Sequence, residues 1–228
     1  MKNLKNNLAM KQSNNKQGFL LVIEGIDGSG KTTQVELLTE YLAGKNIPFE
    51  TISFPQYGKN EYAIKIREYL DGKSGDMDPH ALADLYAKDR LTSKDLIKKW
   101  LSEGKIVVAN RYVSSSKAHI GAKLPENELG EMIDYINVLE YKTNGMSKED
   151  LTILLHADPN LAQANAENKD GSDIHEEDIN HLKMASKIYL ELAKLEQNWA
   201  VLDCMTDGKM KSKEEIHKLL LAILNNIL

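Results

Sequence analysis

The chain has 228 residues, 42% of them apolar and 28% charged, which is enough to bury one sizeable core and too little for two ordinary domains. No apolar run approaches the ~18 residues of a membrane span, and the single cysteine, Cys204, excludes both an intramolecular disulfide and a cysteine-rich metal site. A formal charge of −5 provides no global attraction for nucleic acid, so the expectation is a one-domain protein of a reducing cytoplasm, with neither nucleic acid nor membrane among its partners.

Residues 1–18, rich in Lys, Asn and Gln, contain no signal-length apolar stretch and read as a disordered polar tail ahead of a single domain over residues 19–228. Phe19–Glu24 (FLLVIE) is a short apolar run of the kind a strand buried on both faces requires. A glycine-rich turn follows, then a helical pattern over residues 31–45, closed by Gly44 and Pro48. Further strands are predicted at residues 48–54, 106–109, 151–156 and 199–204. Helices are predicted over residues 61–70, 80–101, 126–141, 176–197 and 213–228. Residues 162–173 turn to Asn, Lys, Asp, Gly and Ser with little to bury, which predicts a mobile loop, a short lid extending to about residue 175. Strands alternating with helices predict an α/β fold, a five-stranded parallel sheet covered on both faces.

Among 29 Lys and Arg residues only Arg67, Arg90 and Arg111 are arginines. Arginine forks onto phosphate and stacks on flat rings, tasks for which lysine is a poor substitute, so each is a candidate binding residue, with an ordinary surface position as the alternative.

Gly25, Ile26, Asp27, Gly28, Ser29, Gly30, Lys31 and Thr32 satisfy G-x-x-x-x-G-K-S/T between a predicted buried strand and a helix start. Glycines allow successive backbone N–H groups to face phosphate oxygens, and the helix N-terminus adds partial positive charge. Lys31 can reach β- and γ-phosphates, and the Thr32 hydroxyl can ligate Mg²⁺. The pattern points to a nucleoside triphosphate and is silent about the acceptor.

Phe54, Gln56 and Tyr57, in the segment FPQYG, and Arg111, Ser115 and Ser116, in NRYVSSS, follow strands and so belong at the carboxyl edge of the sheet, where ligands bind. Tyr86 and Arg90 lie four apart on one helix face and could hold a base; a half-buried Tyr and a surface Arg is the alternative. Residues 173–176 (DIHE) precede a long helix and could serve only to cap it.

GIDGSGKTTQ, FPQYG with IREYL, LYAKDR, NRYVSSSKAHIGAK and DIHEED with IYLELA together resemble the thymidylate kinase family, in order and spacing, from about Gly18 onward. The resemblance implies a P-loop kinase that passes the γ-phosphoryl group of ATP, with Mg²⁺, to dTMP, within dTTP biosynthesis, as a homodimer. It implies that residues 25–33, through Thr33, hold ATP, and that Asp27 sits by the acceptor's 3′-hydroxyl and the metal, with Thr32 and Glu176 as further metal neighbours. Tyr86 would stack on thymine, Arg90 would bond its edge, Arg111 would grip the acceptor phosphate with Arg67 assisting, and Ser115, Ser116 and Glu176 would line the acceptor. His119 falls where the family often has a Tyr that blocks a 2′-hydroxyl. Gln56 and Asn110 stand where the family usually has Arg and Asp. The family's P-loop or lid Arg is missing, and Lys169 is the expected replacement. The alternatives are a kinase for another nucleoside monophosphate, or an ATP-binding relative with little activity.

Overall fold

The computed structural model describes residues 18–167 and 178–225. Five strands, β1 (Phe19–Glu24), β2 (Phe49–Ser53), β3 (Ile106–Asn110), β4 (Leu151–His156) and β5 (Trp199–Asp203), form one parallel sheet in the order β2-β3-β1-β4-β5. Helices α1 (Lys31–Gly44), α2 (Glu61–Leu70), α3 (Pro79–Leu91), α4 (Lys94–Ser102), α5 (Val113–Gly121), α6 (Glu126–Asn137), α7 (Pro159–Glu167), α8 (Ile179–Leu195) and α9 (Lys213–Leu224) surround it. A π-helical turn, Val138–Thr143, follows α6, and β6 (Met205–Thr206) pairs with β7 (Lys209–Met210) as a small hairpin. Among the described residues no helix is long and apolar enough to cross a membrane.

Alternate residues of the strands feed two cores. Leu21, Ile23 and Val108 pack with Leu38 and Leu42 of α1, Leu182 and Ile188 of α8, and Ile216 and Leu220 of α9. Leu20, Val22, Val107 and Ala109 pack with Ile66 of α2, Leu82 of α3, Ile97 of α4 and Ile136 of α6. This period-two division accounts for strands apolar along their whole length. Cys204 lies in the first core, where burial pushes its thiol up to about 12 and leaves it a small apolar filler.

The register sets up the site. Asn110 pairs with Ile23 on one side and Ser53 on the other, so Glu24, Arg111 and Phe54 leave the sheet at one carboxyl edge. Because the chain steps from β1 over β3 to β2 and later from β3 over β1 to β4, that edge opens beside β1.

Several predicted boundaries shift. The helix expected over 80–101 is two, because the Thr92 hydroxyl donates to the Asp89 carbonyl at 2.7 Å and accepts from Gln56 at 3.0 Å, local bonds that compete with the helical ladder. Helix α7 takes in residues 162–167 of the expected mobile loop, with Ala162 and Ala166 buried. Helix α5, within NRYVSSSKAHIGAK, was not predicted. Gly18, assigned to the tail, donates to Leu101 O at 2.8 Å. Residues 1–17, 168–177 and 226–228 lie outside the described residues, including most of the expected lid and the last turn predicted for the terminal helix.

Candidate active site

Gly28 has φ +75°, and a Cβ there would meet Ala162 O of α7 at 1.8 Å, so only glycine lets the phosphate loop turn against that helix. Gly30, at φ 92°, caps α1 and delivers Lys31 and Thr32 to its first turn. The Lys31 ammonium folds back over the loop, donating to Gly25 O at 3.0 Å and Ile26 O at 2.8 Å, with Asp27 at 3.8 Å. Ile26 and Ser29 are buried within the loop, and Thr33 sits half-buried on α1.

Two clefts open side by side at the carboxyl edge. One, of about 1070 Å³, is lined by Gly28, Gly30, Lys31, Thr32, Arg67 and Asn110 among others. The other, of about 550 Å³, is lined by Leu70, Tyr86, Arg90, Tyr112, Ser115, Ser116, His119 and Ile120. Asp27, Phe54, Pro55, Tyr57 and Arg111 belong to both, so the phosphate loop and the aromatic pocket form one continuous space.

Arg111 stands at the junction, immediately after β3, with φ 67°, a left-handed conformation that costs a non-glycine residue about 1–3 kcal/mol. Its Nη2 pairs with Asp27, and its Nη1 lies 3.0 Å from His119 Nε2, 3.3 Å from Ser115 Oγ and 3.5 Å from Tyr189 Oη. The Nε–H has no partner among the described residues. Burial alone would raise the Asp27 pKa, but Arg111 and Lys31 beside it hold the carboxyl well below the usual carboxylate range. Burial likewise opposes the Arg111 charge, and Asp27 reverses that effect.

Arg90, 1% exposed, forms the floor of the smaller cleft. Its Nε donates to Glu140 Oε1 at 2.7 Å, Nη2 lies 2.5 Å from that oxygen and donates to Ser116 Oγ at 2.7 Å, and Nη1 donates to Tyr112 O at 3.3 Å. A second Nη1 hydrogen has no partner among the described residues. Tyr86 and the half-exposed Tyr57 line the walls, with Phe54 packed 5.9 Å from Tyr112. Arg67, at the mouth of the larger cleft, pairs with Asp71 at 2.6 Å and lies 6.0 Å from the Tyr57 ring.

A family model described as thymidylate kinase matches residues 23–218. The chain belongs to the thymidylate kinase family. A thymidylate kinase of Mycobacterium tuberculosis is 32% identical over 189 residues, covering 79% of this chain and 87% of that protein. A probable thymidylate kinase of Methanocaldococcus jannaschii is 35% identical over 212 residues, covering 92% and 97%. The solved thymidylate kinase of Candida albicans shares the fold, with TM-score 0.73 over 93% of this chain and 94% of that one at 22% identity. Membership makes the chain a nucleoside monophosphate kinase, a phosphotransferase.

Most of the expected residues among those described line the double cleft, whereas Gly25, Ile26, Ser29, Thr33 and Gln56 do not. Gln56 lines neither cleft; its side chain is buried, donating to Thr92 Oγ1 at 3.0 Å and Asp89 O at 3.3 Å, so it ties the Pro55 turn to α3 where a substrate contact was expected. Asn110 donates to Thr32 Oγ1 at 3.3 Å. Lys169 and Glu176 lie outside the described residues.

Three contributors escaped the sequence reading. Glu24, wholly buried, accepts the backbone N–H of Tyr112 and Ser115 on one oxygen and the hydroxyls of Ser115 and Tyr189 on the other, anchoring the start of α5. The signal for it was present, a carboxylate ending an otherwise apolar strand. Tyr189 stood within IYLELA without being singled out, and Glu140 had no signal, since it reaches the site only through the fold.

Proposed function

We propose that this chain phosphorylates dTMP with ATP, giving dTDP and ADP, and that the two clefts are its donor and acceptor sites. The observation that supports this reading is the pair of contiguous clefts, a phosphate loop in one, a guanidinium-floored aromatic pocket in the other, joined through Asp27 and Arg111.

In the donor cleft Lys31 exchanges the carbonyls of Gly25 and Ile26 for β- and γ-phosphate oxygens, and the glycine-turned N–H groups receive the rest. In the acceptor cleft the base lies against Tyr86 and Phe54, above Arg90. A guanidinium only donates, so the base edge that meets its remaining Nη1 hydrogen must carry an acceptor. Thymine offers O4 there, whereas cytosine offers an amino group. Arg111, fixed by Asp27 on Nη2, retains its Nε–H for the acceptor phosphate. An oxygen of that phosphate attacks the γ-phosphorus, the bond from that phosphorus to the β–γ bridging oxygen breaks, and ADP leaves with the electron pair. Positioning and charge neutralisation carry the rate, because two polyanions must be held together against repulsion.

Mg²⁺ would arrive with the ATP. Thr32, with Asn110 beside it, and Asp27 would hold it, and it would supply neutralisation of developing phosphate charge. Lys169 is the proposed cation for the missing family Arg, and Lys169→Ala should lower kcat. A homodimer is the proposed assembly, and Leu91, Leu96 and Val138 keep exposed apolar surface on α3, α4 and the π-helical turn. A cytoplasmic setting, for which ATP and dTMP are the substrates at hand, completes the proposal.

An ADP-release assay with dTMP, dUMP, dCMP, dGMP and UMP tests the reading. dTMP should lead, with dCMP at least about tenfold slower, the factor expected where one buried hydrogen bond is replaced by a donor facing a donor. Any other acceptor outpacing dTMP tenfold would overturn it.

A further inference from the structure

His119 of α5 and His181 of α8 meet at the back of the acceptor cleft, and both are almost fully enclosed. Their rings stack with centroids 5.4 Å apart and planes inclined 29°, and His119 Nδ1 lies 3.2 Å from His181 Nε2. On its other side, His119 Nε2 lies 3.0 Å from Arg111 Nη1.

Proton accounting orders this row. Arginine nitrogens only donate, so His119 Nε2 must present its lone pair to Arg111. A neutral imidazole with a bare Nε2 carries its proton on Nδ1, and that proton faces His181 Nε2, which must therefore accept. His181 is in turn neutral, with its proton on Nδ1. An imidazolium at either ring would turn a donor against a donor. The charged surroundings agree: burial and the nearby Lys123 hold His181 down to about 4, against the opposite pull of Asp178 and Asp27.

We infer that His181 is a positioning residue for the acceptor site: by accepting the Nδ1 proton of His119 it fixes the tautomer that holds Arg111, and so sets the rotation of the guanidinium toward the acceptor phosphate. This rests on the proposal that Arg111 grips that phosphate. Asp27 restrains one end of the guanidinium and His119 the other, and two restraints fix a plane that one alone would leave free to turn. Residue 181 reaches the row because Asp178 caps α8, accepting from the N–H of Asn180 at 2.9 Å and of His181 at 3.2 Å, which sets the direction of the helix's first turn.

Two measurements test the inference. Ring ¹⁵N spectra of histidine-labelled protein at pH 7, without nucleotide, should show both residues neutral with protonated Nδ1 and bare Nε2; a protonated His119 Nε2 would overturn the relay whatever the enzyme's substrate. In kinetics, His181→Leu should raise KM for dTMP about tenfold and leave KM for ATP within about twofold, since it removes the acceptor that His181 offers to His119 Nδ1. His181→Gln, whose amide oxygen can still accept, should recover most of the loss. Equal rises in both KM values, no change in either, or a Gln variant as impaired as the Leu variant would each sink the inference. Preference of the wild-type protein for another acceptor would instead sink the dTMP reading and leave the tautomer result standing on its own. If the Leu variant does not fold, the spectra and the Gln variant still decide.

Discussion

Arg90 and Arg111 are both enclosed by protein, and each keeps its charge through a different carboxylate. Burial opposes ionisation of Arg90, and Glu140, itself wholly buried, overrides that effect. Glu140 offers one oxygen to two guanidinium nitrogens while its other oxygen has no hydrogen-bond partner among the described residues. Removing one member of such a pair leaves an uncompensated charge away from water. Glu140→Ala should therefore cost about 3–5 kcal/mol in urea unfolding, with Glu140→Gln falling between it and wild type because it retains an acceptor. A loss below about 1 kcal/mol would mean that water or a rotated side chain satisfies Arg90. The arginines themselves were legible from scarcity alone, three among 29 basic residues, but their carboxylates were not. Glu140 sits in a π-helical turn whose wider winding gives it a direction that helical spacing does not predict.

At the scale of elements, the contact between the phosphate loop and α7 decides how much freedom the loop has. Gly28 and Gly30 both have positive φ, but a Cβ at Gly28 would meet Ala162 O at 1.8 Å whereas one at Gly30 would meet nothing within 4 Å. Gly30→Ala should thus suffer backbone strain only, about 1–3 kcal/mol, and Gly28→Ala that strain plus displacement of α7. Calorimetric titration with ATP should show weakened binding in both variants, at least tenfold weaker again in Gly28→Ala; equal affinities would show that α7 yields without consequence. That contact was hidden from periodicity because α7 buries only two alanines, Ala162 and Ala166, amid polar residues, a pattern read as a loop. Helix α5 was hidden for a related reason. It buries Ser116 and Lys117, whose polar atoms are matched by partners from other elements, and no apolar stripe announces it. The strands were legible because burial on both faces demands uninterrupted apolar runs, which FLLVIE and LTILLH supply.

For the whole molecule, a second cluster of titratable groups, drawn from α5, the π-helical turn, the segment before β4 and the end of α8, bears on the response to pH. The Tyr141 hydroxyl donates to both oxygens of Glu149 at 2.9 and 2.8 Å, and buried Lys117 pairs with Glu196 at 3.0 Å. Burial pushes Glu149 up to about 7 from 4.5, with the Tyr141 hydrogen bond and Lys117 pulling the other way. The folded protein then holds this proton more tightly than the unfolded chain does. Its contribution to stability is complete below about pH 4.5, declines as pH rises through about 7, and stays lost above it. Because Glu149 retains partial solvent exposure, the swing should be on the order of 1–2 kcal/mol, less than the full shift would convert to. Glu149→Gln keeps an acceptor for Tyr141 and cannot ionise, so it should exceed wild type in stability at pH 8 by that amount and match it near pH 4.5. Urea midpoints of both proteins between those pH values check this, and curves that run parallel would mean that the Glu149 carboxyl is hydrated when charged, with Tyr141 turning aside to admit water between β4 and the π-helical turn.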